Sequence, residues 1–217
     1  MRGLIEKDLR LTLARKQTIL IFFVMALIMG ASMDGSFLIA YLTMLATILA
    51  VGTISYDEFD NGFAFLMTLP FDRKTYVREK YLFCLMMAAA AWCIGAALYG
   101  TVSFIRHNAI NLVDELPMLT ALIPVLYLSA AVMIPLQLKY GSERSRIAFL
   151  ILFGVIAILL YAAKNSSDST NNPFMKLSET LDALPPAAVL AALAAACALI
   201  VFASYRWSLW IMKMKEF

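Results

Sequence analysis

The sequence has little charge for its length. Only 15% of its 217 residues are Asp, Glu, Lys or Arg, whereas soluble globular proteins carry about 25%. Apolar residues make up 62% of the chain, and the mean hydropathy is +0.80. A water-soluble fold cannot bury that much apolar side chain, so the composition predicts an integral membrane protein. The net charge of +3 is too small to indicate a nucleic-acid partner.

Residue types that carry catalysis, metal binding and redox chemistry are scarce. The single histidine, His107, falls in a short loop, and Cys84, Cys93 and Cys197 lie in apolar stretches without metal-ligand spacing. No segment matches the phosphate-binding pattern G-x-x-x-x-G-K-[ST]. We therefore expect no catalytic, metal or cofactor site in this chain, and no ATP hydrolysis by the chain alone.

Long uncharged runs predict six membrane-spanning helices, because a bilayer core of about 30 Å needs roughly 20 helical residues. No acid or base lies inside these runs, which disfavours an ion-coupled carrier. Only the turn-forming MDGS separates the first two, so one broken hairpin is the alternative there. The sequence thus predicts an all-α membrane fold in a single domain, 1–217. The predicted spans are 17–33, 36–56, 81–105, 118–138, 147–163 and 185–205.

Basic residues are distributed unequally about these spans. Fifteen of the 18 Lys and Arg residues lie in segments on one side, and only Arg106, Lys164 and Lys176 lie on the other. Because cytoplasmic loops carry the excess of positive charge, this asymmetry predicts that both termini are cytoplasmic. We expect a multi-pass protein of the cell membrane.

One cytoplasmic interruption, residues 57–80, is too rich in aromatic side chains for a simple linker. Gly62 permits a tight turn, Pro70 favours a break, and Asp72 suits the N-cap of a helix that continues into the third span. Aromatic rings surrounded by charges are typical of docking sites. The alternative is an interfacial segment whose rings enter the lipid headgroup layer.

The N-terminal segment, 1–16, places Ile5, Leu9 and Leu13 on one face of a helix, although Asp8 interrupts the apolar face. The pattern predicts an amphipathic helix before the first span. An ordinary charged lead-in is the alternative.

On the other side of the membrane, residues 164–184 begin as a polar loop and then repeat apolar residues at helical spacing. This spacing predicts a short external helix between the fifth and sixth spans.

Three stretches together resemble the permease subunits of ATP-binding-cassette exporters. SYDEFDNGF followed by LMTLPFDRKTYVREKYL, within 55–82, resembles the segment after the second span of these permeases. PLQLKYGSERSR, 135–146, resembles their loop after the fourth span, and SLWIMKMKEF resembles their C-terminal ending. Within the family, the chain looks most like the small permeases of the phenol-soluble-modulin exporter.

The resemblance implies an elbow helix in 1–16 that lies along the inner leaflet, and a coupling helix in 57–80 that docks on a separate ATPase. That ATPase would bind the ATP and Mg²⁺. A second permease subunit (a copy of this chain or a sister permease), amphipathic peptide cargo and a bacterial cell membrane are implied as well. The residues expected to contact the ATPase are Glu58, Asp60, Phe63, Phe65, Leu66, Leu69, Pro70 and Arg73.

A membrane scaffold or immunity-type protein that binds a cytoplasmic partner and transports nothing is the alternative function. It would share both the composition and the docking segment. Co-purification with a nucleotide-binding subunit, and ATP hydrolysis that responds to changes in the docking segment, would separate the two functions.

Overall fold

The computed structural model describes residues 1–32, 35–59, 62–105, 112–165 and 186–215. Within these residues the chain forms helices and no strand, which confirms the predicted all-α fold for the described part. The helices are α1 (Arg2–Ala14), α2 (Lys16–Ser32), α3 (Gly35–Glu58), α4 (Gly62–Leu66), α5 (Arg73–Ile105), α6 (Leu112–Asn165) and α7 (Pro186–Met214).

Several of these helices are long and apolar enough to cross a membrane. Helices α1 and α2 meet at a bend of 69° and qualify only when taken together, as Arg2–Ala14 and Lys16–Ile28. The described residues therefore contain three candidate spans, or four with this bent pair. The count of six spans and the cytoplasmic placement of both termini stay predictions. The three single spans are Phe37–Glu58, Arg73–Thr101 and Ala194–Met214.

Helix α6 has 54 residues but contains a break. Gly141 has φ 81° and ψ 176°, values that only glycine adopts readily, and it divides the helix into two parts, 112–140 and 142–165. The two parts contain the predicted fourth and fifth spans, 118–138 and 147–163. The polar sequence between those spans is thus accommodated by a sharp change of backbone direction rather than by a loop.

Helices α3 and α5 form the most extensive helix contact. A Cβ atom on Gly95 of α5 would lie 3.1 Å from the Cα atom of Ile39 on α3, so the missing side chain lets the two backbones approach closely. Thr43 and Thr47 of α3 are buried, and their hydroxyls donate to the backbone carbonyls four residues earlier at 2.7 and 2.8 Å. These internal bonds allow polar side chains to lie inside an apolar bundle.

Tyr81 joins α5 to both α6 and α7. Its hydroxyl lies 2.6 Å from Ser204 Oγ and 2.9 Å from Ser208 Oγ on α7. Its ring packs edge to face on Tyr205, with ring centroids 5.6 Å apart. Its backbone carbonyl accepts a hydrogen bond of 2.8 Å from the hydroxyl of Tyr127 on α6. The three helices are therefore held together close to the start of α5, the end of the bundle where α4 lies.

Helix α1 lies against this end of the bundle. It buries Leu4, Asp8 and Thr12 and exposes Leu9 and Leu13. A helix is therefore present within 1–16, but the side that faces the protein carries a carboxylate and a hydroxyl. The exposed leucines face outward, where an inner-leaflet elbow helix would meet lipid.

Two sequence predictions concern parts that the structure does not describe. Residues 166–185, which hold most of the predicted external segment 164–184, and the loop with His107 lie outside the described residues.

Candidate functional site

Helix α4 is five residues long and has two different faces. Phe63 and Leu66 are only 5% and 6% exposed, whereas Phe65 is 69% exposed. The Phe63 ring packs edge to face on Tyr76 of α5, with centroids 5.7 Å apart. The exposed turn that follows contains Leu69 and Pro70. One face of α4 is thus anchored in the core, and the other presents apolar side chains to the surroundings.

Glu58, the last residue of α3, is bonded to the break in α6. Its Oε2 atom accepts a hydrogen bond from the backbone N–H of Ser142 at 2.8 Å. A carboxylate at this position satisfies an N–H that has no partner inside the helix and lies at the positive end of the helix dipole. A Cβ atom on Gly141 would come 2.6 Å from Glu58 Oε1, so glycine is needed there for space as well as for conformation.

Arg73, the first residue of α5, is bonded to the end of α7. Its Nη1 atom donates to the backbone carbonyls of Met212, Lys213 and Lys215, at 2.9, 3.1 and 3.0 Å. The last carbonyls of a helix have no partner within it and carry the negative end of its dipole, so a guanidinium is stabilising there. Arg73 therefore fastens the C-terminal end of α7 to the segment that follows α4.

Lys215 completes the connection from α7 to α4 and α6. Its ammonium lies 4.5 Å from the centre of the Phe63 ring and donates to the Leu138 carbonyl at 3.3 Å. Partial burial lowers the pKa of the Lys215 ammonium, and the nearby carboxylate of Glu58 opposes that change. The three stretches that carry the family resemblance thus meet at one place. We call it the α4 junction, formed by Glu58, Phe63, Arg73, Gly141, Ser142 and Lys215.

A buried group of charged side chains lies next to the α4 junction. Lys80 of α5 forms ion pairs with Asp8 of α1 and with Asp57 of α3, the second at 2.7 Å. None of these three residues is more than 5% exposed. Buried charges are tolerated only when they are paired and hydrogen-bonded, and both acids here also bind Lys7.

Two hydroxyls take part in the same group. Tyr76 donates to Asp57 Oδ2 at 2.9 Å, and Thr53 Oγ1 lies 3.0 Å from Asp8 Oδ2. Lys7, Asp8, Thr53, Asp57, Tyr76 and Lys80 are called the Lys80 cluster below. It connects α1 to the C-terminal part of α3 and the N-terminal part of α5, the helices that precede and follow α4 in the sequence.

The structure divides the eight predicted docking residues into two groups, and Asp60 lies outside the described residues. Phe65, Leu69 and Pro70 are exposed and available to a partner, and that role stays a prediction. The other four hold the junction together within the chain: Glu58, Phe63, Leu66 and Arg73.

Several residues of this region were missed at the level of sequence. The hydrophobic pattern identifies Asp8 only as an interruption of an apolar face, and nothing in the pattern distinguishes Lys80 from the other bases of 57–80. A carboxylate four residues after Leu4 and four before Thr12 was a signal that this face packs on protein. Gly141 was noted only as part of a motif, although a glycine among polar residues between two apolar runs indicates a backbone break.

The bundle of apolar helices, several of them long enough to cross a bilayer, defines a multi-pass membrane protein. The family model described as ABC-2 family transporter protein matches residues 3–213, so the chain belongs to the ABC-2 transporter family. It is therefore a transmembrane transporter subunit, and the family implies an ABC ATPase as its partner. No curated protein and no solved structure matches the chain.

Proposed function

We propose that this chain is the transmembrane subunit of an ATP-driven exporter of amphipathic or hydrophobic peptides, similar to phenol-soluble modulins. Two subunits, either two copies or this chain with a sister permease, line the pathway in a bacterial cell membrane. ATP and Mg²⁺ bind to a separate ATPase, and the permease itself carries no catalysis.

The observation that carries this proposal is the division of α4 into two faces. Phe65 extends from a helix whose other face, Phe63 and Leu66, is buried against the ends of the spans. Exposed rings on a rigid support are typical anchors for a partner, because little conformational entropy is lost when they dock. Phe59, three residues before α4 in the sequence, is also exposed, at 72%.

A displacement of α4 would be transmitted directly to the spans. Glu58 connects it to α6, and Arg73 and Lys215 connect it to α7. A movement of the ATPase would therefore shift α6 and the end of α7 together, which can change the access of the pathway between the two sides of the membrane. The stretches 37–56, 81–101 and 194–205 of the candidate spans hold no Asp, Glu, Lys or Arg, which favours apolar cargo over ions.

Co-expression with its ABC ATPase partner tests the coupling. We expect the purified complex to hydrolyse ATP and to lose peptide-stimulated hydrolysis in Phe65→Ala, by roughly tenfold or more for a hot-spot side chain. Phe202→Ala is the matched control, because Phe202 on α7 is 63% exposed and distant in sequence from the docking segment. Equal loss in both variants, or in neither, would contradict docking through α4.

Transport is tested separately from docking. Inverted vesicles that contain the complex should accumulate a fluorescent amphipathic helical peptide only when ATP is present. A complex that assembles and hydrolyses ATP but never moves such a peptide would favour the scaffold or immunity-type alternative.

A further inference from the structure

Helix α1 forms ion pairs with the two helices, α3 and α5, that flank α4 in the sequence. Asp57 lies near the end of α3, five residues before the start of α4 at Gly62, and Lys80 lies seven residues, about two turns, after the start of α5 at Arg73. Asp8 of α1 is paired with Lys80, and Lys7 of α1 is paired with Asp57. Helix α1 is therefore bonded to both helices that flank α4, although 50 positions separate Lys7 from Asp57, the nearer partner in the sequence.

Burial makes this attachment hard to open. Asp8 is 0% exposed and Lys80 is 1% exposed. Moving α1 away would break the Asp8–Lys80 and Lys7–Asp57 pairs and leave Lys80 with Asp57 as its remaining carboxylate, which is less favourable than breaking an exposed ion pair. By contrast, Arg10 and Glu6, the neighbouring ion pair on α1, are both well exposed and can exchange their contact for water at little cost.

A second contact holds the C-terminal end of α1. The guanidinium of Arg15, at the bend between α1 and α2, lies 4.5 Å from the centre of the Tyr56 ring at the end of α3. Tyr56 directly precedes Asp57, so the middle of α1, at Lys7, and its C-terminal end are both held to the end of α3. Helix α1 has no comparable set of contacts with α6 or α7 among the described residues.

We infer that α1 and α4 move as one rigid body, joined by the Lys80 cluster, and that Asp8 and Lys80 are positioning residues for the proposed coupling. Force applied to α4 by the ATPase then moves α1 with it, and through the bend at Arg15 it also moves α2. The relative motion of the cycle occurs elsewhere in the bundle. This inference depends on the proposed function.

The first experiment removes the ion pair between Asp8 and Lys80. Asp8→Asn, Lys80→Met and the double variant are compared in the complex with its ATPase, with co-purification as the measure of assembly. We expect assembly and basal ATP hydrolysis to persist, and peptide transported per ATP to fall by roughly fivefold or more, the low end of typical coupling between sites. The double variant should be no worse than Lys80→Met alone, because both changes remove the Asp8–Lys80 pair and Lys80→Met already removes the Asp57–Lys80 pair as well.

Two controls separate positioning from folding. Lys80→Arg keeps the charge and should restore most of the transport per ATP. Glu6→Gln removes an acid from the same helix on its exposed side and should change nothing. If Asp8→Asn transports as the wild type does, the inference is wrong.

The second experiment links the C-terminal end of α1 covalently to the end of α3. It keeps the inference testable even where the first variants do not fold. The three native cysteines are first replaced by alanine. Arg15→Cys and Tyr56→Cys are then introduced, and the two new thiols are bridged with a short cleavable bis-methanethiosulfonate. A single rigid body predicts that the bridged complex transports as well as the unbridged one. Loss of transport that is reversed by reduction would show that α1 must separate from α3, and would overturn the inference.

The wild-type complex shows whether the proposed function fails or only this inference. Wild type that neither hydrolyses ATP nor transports peptide refutes the proposed function, and this inference with it. Active wild type with the contrary results above refutes only the inference.

Discussion

Glu58 Oε2 and the backbone N–H of Ser142 form a hydrogen bond of 2.8 Å between residues 84 positions apart. The bond joins the last residue of α3 to the first N–H after the break in α6. It also connects two of the three stretches that carry the resemblance, since the carboxylate in one is the helix cap of the other. The end of a span and the change of direction in α6 are therefore one structural unit.

This hydrogen-bonded unit requires a glycine at position 141. Gly141→Ala should lower the free energy of unfolding by about 1–3 kcal/mol, because its backbone conformation is essentially restricted to glycine. Its new Cβ would also displace the Glu58 carboxylate. Thermal unfolding of the purified protein in detergent measures the change.

Gly154→Ala is the matched control in the same helix. Nothing lies within 4 Å of a Cβ at Gly154, so we expect no loss and a gain of up to about 1 kcal/mol from helix propensity. Equal unfolding temperatures for the two variants would show that the break at Gly141 is not required.

The contact between α3 and α5 gives a second paired prediction. Gly95→Ala should destabilise the protein by about 1–3 kcal/mol, as overpacking does, because its Cβ would lie 3.1 Å from the Ile39 Cα atom. Gly100→Ala, on the same helix with nothing within 4 Å, should be neutral or stabilising. Thermal unfolding of both variants checks this, and a Gly95→Ala protein as stable as Gly100→Ala would refute the close approach.

The helices were largely predictable from the sequence, and their lengths less so. Uncharged runs of about 20 residues locate candidate spans because hydrocarbon excludes unpaired backbone and charge. The last candidate span was predicted to end at 205, yet the helix continues to Met214, since Arg206 and Lys213 are exposed on its surface and do not end it. The break at Gly141 was predicted as a loop because polar sequence alone does not distinguish a loop from a kinked helix.

The composition of the α4 junction could not be predicted from local patterns. Phe63 and Phe65 are two residues apart in an apparently uniform aromatic stretch, yet one is buried and the other exposed. Which ring faces inward depends on Tyr76 and Lys215, which lie on other helices. Asp8 and Lys80 are 72 positions apart, and their pairing follows from the packing of α1 on α5, which no spacing in the sequence reveals.

The end of α7 depends on Arg73. Arg73→Ala should remove three hydrogen bonds to carbonyls and expose the last turn, with a loss of about 1.5–3 kcal/mol for charged hydrogen bonds. Hydrogen exchange should show faster exchange confined to the C-terminal end of α7. Lys74→Ala removes an adjacent exposed base and should leave exchange unchanged. Protection that is the same in all three proteins would mean that α7 ends stably without Arg73.

Phe63 and Phe65 separate stability from coupling. Phe63→Ala removes a ring that is buried between Tyr76 and Lys215, so the free energy of unfolding should fall by about 3–5 kcal/mol. Phe65→Ala removes a ring that is 69% exposed, so stability should change by about 0.5 kcal/mol or less. Thermal unfolding of the isolated subunit, followed by ATP hydrolysis of the assembled complex, gives both readouts. We expect Phe65→Ala to be stable and uncoupled. A Phe65→Ala protein that is strongly destabilised would mean that this ring is covered by the chain itself, and the exposed face of α4 would then have no role in docking.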